Sequence, residues 1–433
     1  MAVSFQNLDD WLAHLEGAHP VGIDMGLERI GRVKEALRLS FSSVVFTVAG
    51  TNGKGSTCAM LESMLLAASY KVGCHTSPHF LSFNERARIG GEPVTDELLI
   101  AHFERVEQAR SSLPDAPSLT YFEFTTLAIM DLFAQANLDA VILEVGMGGR
   151  LDAVNIVDAD CAIVTSVDID HAAYLGDTRE KIAYEKAGIF RTERPAICAD
   201  PVPPQSLVDH ARDIGADLWL IGRDYNFQGD TQQWGWAGRG RRFSGLGYPA
   251  LRGANQLLNA SAAIAALMAV RDRLPVGAQE IRNGMAWVEL PGRFQVMPGR
   301  PTIVLDVAHN PHAAHALTQN LENMAYHPYT YAVMGAMADK DIVGVIKPLL
   351  NTIDFWYFCD LPTPRAAKAT DLQTILLDLG FEPGPDRGCQ LFDSPELAYQ
   401  EALKKAGEND RITVFGSFYT VAGVMSYRNS KSN

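Results

Sequence analysis

Residues 44–57 read VVFTVAGTNGKGST. The run Val44–Val48 is apolar and largely β-branched, the pattern of a parallel strand buried on both faces. It breaks into Gly50-Thr51-Asn52-Gly53-Lys54-Gly55-Ser56-Thr57. From Cys58 to Tyr70 helical spacing takes over, with Met60, Leu61, Met64, Leu65 and Ala68 on one side. Strand, glycine-rich turn and helix are the context of a phosphate-binding loop. Glycines let phosphate oxygens approach the backbone, and the helix N-terminus aims N–H groups and a positive dipole end at them. Lys54 adds a point charge, and Ser56 or Thr57 offers a hydroxyl to Mg²⁺. The match to G-x-x-x-x-G-K-[ST] is partial: Val48 occupies the first glycine position, and Gly55 separates Lys54 from the hydroxyl pair. A glycine-rich turn without a ligand is the alternative, disfavoured by the strand before and the helix after.

Downstream, apolar runs alternate with helical patterns. A strand over 71–76 leads into Ser77-Pro78-His79, and a charged loop or short hairpin covers 83–91. Helices are expected over 95–110 and 121–135. A strand over 139–143 ends in Glu144, and one over 161–167 ends in Asp168-Ile169-Asp170-His171; helix 178–189 carries Glu185 and Lys186. Upstream, a short helix is expected near 7–15, and a loop over 23–29 feeds a second, 27–39. The alternation predicts a doubly wound α/β sheet, whose ligands bind beyond the carboxyl ends of the strands. Those ends supply Lys54, Ser56, Ser77, Glu144, Asp168 and His171. Singly, Ser77 also reads as a turn opener, Glu144 as a helix cap, His171 as a satisfied histidine, and Lys186 as a solvated helix side chain. Their shared position at strand ends favours a joint Mg-nucleotide site.

Residues 225–248, rich in Gly, Trp and Arg, read as a small antiparallel excursion. Ala-rich helix 255–270, with Asn259 near its start, and helix 276–287 follow. Prolines and glycines over 290–301 mark a boundary. Strands at 302–305, 331–334, 355–358 and 411–415, with helices between, then predict a smaller Rossmann-like α/β domain. It lacks G-x-G-x-x-G, so a dinucleotide role is unsupported. The expected division is 1–291, a P-loop-type ATP-binding domain, and 292–433.

Composition bounds the rest. A chain of 433 residues predicts two or three domains. A net charge of −14 argues against a nucleic-acid surface. The six cysteines form no C-x-x-C pair and lie mostly in apolar segments, so free buried thiols and a reducing compartment are expected. No secretory signal is visible at the N-terminus, and the most apolar helix, 260–270, is too short to span a bilayer. A cytoplasmic monomer without membrane or nucleic-acid partners is the expectation.

Taken in order, the segments GTNGKGST, HTSPHF (75–80), ERARIGG (85–91), TYFEF (120–124), LEVGMGGRLDAVN (143–155), DIDHAAYLGDTREKIAYEKAGIFR (168–191), LPGRFQ (290–295), DVAHNPHA (306–313) and GSFYTVAGVM (416–425) carry a specific resemblance. The chain resembles the dihydrofolate synthase/folylpolyglutamate synthase family of the Mur ligase superfamily, from about Asp24 to Met425. The altered phosphate loop is the form Mur-type ligases use.

The resemblance implies an ATP-dependent ligase. ATP phosphorylates a pterin-bearing carboxylate, and the amine of L-glutamate attacks the acyl phosphate. Dihydropteroate becomes dihydrofolate, and reduced folates are extended. By resemblance, Thr51, Asn52, Gly53, Lys54, Gly55 and Ser56 hold ATP phosphates, with Asn259, Arg293, Asp306 and His309 as further nucleotide contacts. Ser77 and Glu144 ligate one Mg²⁺, and His171 a second. Lys186 matches a lysine carbamylated in the family; Lys54, Lys186 and His171 form the catalytic set. The pterin site draws on Asp24, Met25, Gly26 and Leu27, on Thr120, Tyr121, Phe122 and Glu123, and on Leu151, Asp152 and Ala153. Tyr121 and Phe122 offer ring faces, with core packing as the alternative. Because Arg293 and Asp306 lie near or past the boundary, the resemblance also implies domain closure on the nucleotide. Rival readings are a monofunctional folylpolyglutamate synthase, a peptidoglycan Mur ligase, and a non-ligating ATPase switch. TYFEF, SPHF and the short segment before Val44 favour the folate branch over the peptidoglycan one.

Overall fold

The structure, a computed structural model, describes residues 3–230 and 232–432. The chain divides into two compact units. The first runs to Ala250 and takes in Leu257–Val288; the second comprises Leu251–Gln256 and the chain from Glu289 onward. Leu251–Gln256 belongs with the later residues because Ala254 N–H donates to Asn320 Oδ1 at 2.9 Å.

In the first unit the strands are β1 (Val44–Ala49), β2 (Val72–His75), β3 (Ala87–Ile89), β4 (Glu92–Pro93), β5 (Ala140–Glu144), β6 (Cys161–Val164), β7 (Pro195–Cys198) and β8 (Asp217–Leu220). They form one sheet in the order β4-β3-β2-β5-β1-β6-β7-β8. From β2 to β8 all pairs are parallel; the β3–β4 hairpin joins antiparallel at one edge. Central β1 is buried at every position. Each of its fully buried Val and Phe side chains contributes roughly 1.5–3 kcal/mol. With β1, β2, β5 and β6 parallel, their carboxyl ends fall on one side of the sheet, where the polar residues following each strand are delivered.

The helices are α1 (Leu8–Glu16), α2 (Glu28–Leu37), α3 (Lys54–Ala67), α4 (Asp96–Ser112), α5 (Tyr121–Gln135), α6 (Ala172–Leu175), α7 (Arg179–Ala187), α8 (Gln205–Asp213), α9 (Gln256–Ala269) and α10 (Ala278–Trp287). Two expectations are corrected. Helix α3 starts at Lys54, not Cys58, so half of the glycine-rich stretch forms its first turn. It is also not one-sided: Gly55–Glu62 are all buried, alongside Met64 and Leu65. A helix enclosed on all sides carries no stripe.

The excursion after β8 is a three-stranded antiparallel sheet, β9 (Tyr225–Gly229), β10 (Gln233–Gly238) and β11 (Arg241–Gly247). In the second unit β12 (Gln295–Met297), β13 (Thr302–Leu305), β14 (Thr330–Met334), β15 (Phe355–Cys359), β16 (Gly388–Phe392) and β17 (Arg411–Phe415) form a sheet in the order β12-β13-β17-β14-β15-β16. It is parallel except for β12. All six cysteines are free thiols, five of them buried. No helix among the described residues is long and apolar enough to cross a membrane.

Candidate active site

The glycine-rich loop is pinned to the segment that follows β6. Thr51 N–H donates to Ser166 O at 2.7 Å, and Thr51 Oγ1 both donates to Asp168 O at 3.0 Å and accepts from Asp168 N–H at 2.9 Å. Thr165 Oγ1 donates to Asn52 O at 2.6 Å. Gly53 takes φ +90°, and a Cβ there would stand 2.4 Å from Asn259 Oδ1. Only glycine accepts both that conformation and that neighbour. Asn259, expected at the nucleotide, therefore abuts the loop. Lys54 opens α3 with its Nζ folded back on Gly50 O, 3.1 Å, and Thr51 O, 3.4 Å.

Next to β1, the ends of β5 and β2 bring Glu144 and Ser77 together: Ser77 N–H donates to Glu144 Oε2 at 3.0 Å. Glu144 is buried within β5 itself. The cap of the short 3₁₀ turn that follows is Asp152, so the reading of Glu144 as a helix cap is set aside. His171, at φ 52°, N-caps α6, with its Nε2 4.0 Å from Asp170.

Lys186 departs most from its bland reading. It is buried rather than solvated, and burial, reinforced by the Lys54 cation, pulls its pKa down to about 7; Asp170 and Asp152 oppose this only partly. Burial likewise pushes Asp152 up to about 6, against the N–H groups of Met147, 2.9 Å, and Val154, 3.1 Å.

Beside these groups lies a cavity of about 270 Å³. Its walls include Asp24, Met25 and Gly26, then Thr120, Phe122 and Glu123, then Leu151, Asp152 and Ala153; Ser77 and His171 also reach it. Nine of the eleven expected pterin residues thus meet around one space. Leu27 and Tyr121 do not line it. Tyr121 sits one helical step, ~100°, from Phe122. Its ring packs edge-on to Phe83 at 6.3 Å. Phe122 reaches the wall because Gly146 has no side chain: a Cβ there would meet its Cζ at 2.7 Å.

Thr120 and Glu123 also form the capping box of α5, Glu123 N–H donating to Thr120 Oγ1 at 3.2 Å and Thr120 N–H to Glu123 Oε2 at 2.8 Å. Arg29, unassigned from sequence, clamps the wall. Its Nη1 lies 2.8 Å from Asp24 Oδ2, and its Nη2 donates to Asp24 O at 2.9 Å and Glu123 Oε1 at 3.1 Å. Gly22, Ile23, Pro78, Arg86 and Met147 are further wall residues that sequence reasoning did not single out. Arg86, inside ERARIGG, carried a signal in its charge alone.

In the second unit Asp306 is held by the N–H groups of Phe294, 2.8 Å, and Ala308, 2.7 Å. Burial raises its pKa while Arg293 pulls the other way. His309 Nδ1 donates to Val307 O at 2.8 Å.

Residues 48–226 match the Mur ligase middle domain, and residues 292–418 match the Mur ligase glutamate ligase domain. The dihydrofolate synthase/folylpolyglutamate synthase of Escherichia coli (strain K12) is 44% identical over 419 residues, covering 96% of this chain and 94% of that protein. The chain belongs to the dihydrofolate synthase/folylpolyglutamate synthase family. Among solved members of this Mur ligase family, E. coli FolC in complex with DHPP and ADP superposes with a TM-score of 0.92 at 42% identity, covering 99% of both chains. A bifunctional folylpolyglutamate synthase/dihydrofolate synthase with Mn, AMPPNP and L-glutamate bound gives 0.89 at 41% identity, covering 99% of this chain and 100% of that one.

Proposed function

We propose that this chain is an ATP-dependent ligase that adds L-glutamate to dihydropteroate, giving dihydrofolate, and to reduced folates, giving folylpolyglutamates. The observation that carries the reading is the cavity in which Phe122 and Asp152 face the same space as Ser77 and His171. A pterin-sized, mostly apolar site there abuts the groups suited to phosphoryl transfer. Its relatives' names, and the DHPP, nucleotide and L-glutamate held by related structures, support the same reading.

In this reading the substrate carboxylate takes the γ-phosphoryl group of ATP. The glutamate amine then attacks the carbonyl, the amide forms, phosphate leaves, and the amine proton passes to solvent. A carboxylate is a poor electrophile, and two anions must meet before it is activated, so positive charge and N–H donors supply much of the catalysis. Thr51–Ser56 and Asn259 are assigned to the ATP phosphates. Arg293, Asp306 and His309 are assigned to nucleotide contacts in the glutamate ligase domain, residues 292–433.

The donors suit Mg²⁺. Among the described residues no cluster of three or more His, Cys, Asp or Glu could hold an ion unaided. Ser77, whose backbone N–H donates to Glu144 Oε2, instead brings a hydroxyl-bearing residue next to that carboxylate. Two hard oxygens leave the remaining positions to water and phosphate, which is the habit of Mg²⁺. Ser77 and Glu144 would hold one ion and His171 a second, offsetting the charge of ATP and carboxylate when bound. Lys186, buried and close to neutral, is assigned a carbamate, whose negative charge suits a neighbouring cation better than an ammonium does. The free thiols accord with a cytoplasmic enzyme.

The test is phosphate release from ATP with dihydropteroate or tetrahydrofolate, each with and without L-glutamate. Sustained release is expected only with acid and glutamate together. Release with neither would make the chain a switch, and glutamate added to tetrahydrofolate but never to dihydropteroate would leave a monofunctional synthase.

A further inference from the structure

Apart from His171, the ionisable groups on the cavity wall are Asp24, Glu123, Asp152 and Arg86. Arg29 holds Asp24 and Glu123 from behind, and backbone N–H groups hold Asp152. An anionic substrate therefore meets three carboxylates and a single guanidinium, and the unfavourable part of that field must be offset where its charge rests.

Arg86 is built to hold a position. Its Nε donates to His79 Nδ1 at 2.8 Å, which fixes the plane of the fork. Its carbonyl accepts from His75 Nδ1 at 2.7 Å and from Thr76 N–H at 3.3 Å, tying its backbone to β2. Its Cζ lies 5.5 Å from the Phe83 ring centre and 5.8 Å from that of Tyr121, on the side of the cavity where α5 begins. A planar cation braced in this way pairs bidentately with a carboxylate.

Resting on the reading of the preceding section, the two substrates differ in the charge they bring. Dihydropteroate has one carboxylate, and it reacts; that group must lie toward Lys54, Ser77 and Glu144. A folate ending in glutamate brings a second carboxylate that does not react. We propose that Arg86 binds this spectator α-carboxylate of the terminal glutamate and so sets the preference of the cavity for chain extension over dihydrofolate formation.

The experiment compares wild type, Arg86→Ala and Arg86→Lys with dihydropteroate and with tetrahydrofolate monoglutamate as acceptors. The ratio of kcat/KM for tetrahydrofolate over dihydropteroate should fall about 30-fold in Arg86→Ala, the scale of one lost charge-assisted bidentate pair, whatever loss the two reactions share. Arg86→Lys, which keeps the charge but not the fork, should fall between. A tetrahydrofolate bearing an α-carboxamide should lose the same factor on wild type and lose little more on Arg86→Ala. Equal losses for both acceptors, as a merely structural role or a contact to the reacting carboxylate would give, overturn the proposal, and so does an unchanged ratio. A wild-type protein that uses only one acceptor overturns the bifunctional reading beneath it.

Discussion

Replacing Lys186 with methionine isolates the energetics of one buried amine. The folded-state pKa of about 7 lies some 3.5 units below the ordinary lysine value of 10.5. At about 1.36 kcal/mol per unit, carrying the amine in its buried place costs about 5 kcal/mol once both states are protonated. The sign follows from proton counts. Between about pH 7 and 10.5 the unfolded chain binds the proton and the folded one does not, so this group's contribution to stability improves as pH rises through that window. In CO₂-free buffer Lys186→Met should therefore be more stable than wild type by about 5 kcal/mol near pH 6 and by only about 2 kcal/mol near pH 9. The assay is urea unfolding of both proteins at the two pH values, read as a difference of differences, so that other titrations cancel. Bicarbonate should then stabilise wild type and leave Lys186→Met unmoved, and ¹³C-bicarbonate should give a carbamate resonance in wild type alone. A Met-minus-Lys difference that stays flat across the window would show that the amine is not held neutral, and the case for a carbamate would fall with it.

Two further outcomes are expected. Lys54→Ala should abolish ligation while keeping a native circular-dichroism spectrum, since losing the cation assigned to the ATP phosphates would cost roughly 3–4 kcal/mol of transition-state stabilisation; near-normal turnover would refute the phosphate-loop assignment. Gly53→Ala should weaken ATP binding more than tenfold, about 1.4 kcal/mol or more, because its Cβ would have to displace Asn259; an unchanged nucleotide Kd by calorimetry would count against that packing.

The two main sheets were legible because their strands are apolar runs bounded by polar or turn residues: β1, β5 and β13 all begin within a residue of where composition changes. The start of α3 was not, since Lys54-Gly55-Ser56-Thr57 is a poor helix-forming sequence that becomes helical only when enclosed. The burial of Lys186 was hidden for a related reason: α7 looks like a solvated helix, and the charges that act on its buried amine include Lys54 and Asp152, from distant parts of the chain. The Arg29–Glu123 pair spans 94 residues and has no local trace. Neighbours such as Tyr121 and Phe122 read alike in one dimension, and helix geometry alone decides which of them faces the cavity.

The hydrogen bonds between Thr51 and Asp168 join positions 117 residues apart, and Asn259 presses on Gly53 from later still. During synthesis the glycine-rich loop therefore waits: its strand leaves the ribosome early, but the surface that shapes it is not available until well past residue 168, and is complete only beyond 259. Such long-range closure is slow to form. Until then β1, a strand buried at every position in the finished sheet, is a segment in need of protection from other chains. Nucleotide affinity in a series of C-terminal truncations would accordingly appear abruptly rather than by degrees, marking the length at which the nascent chain acquires its first native ligand.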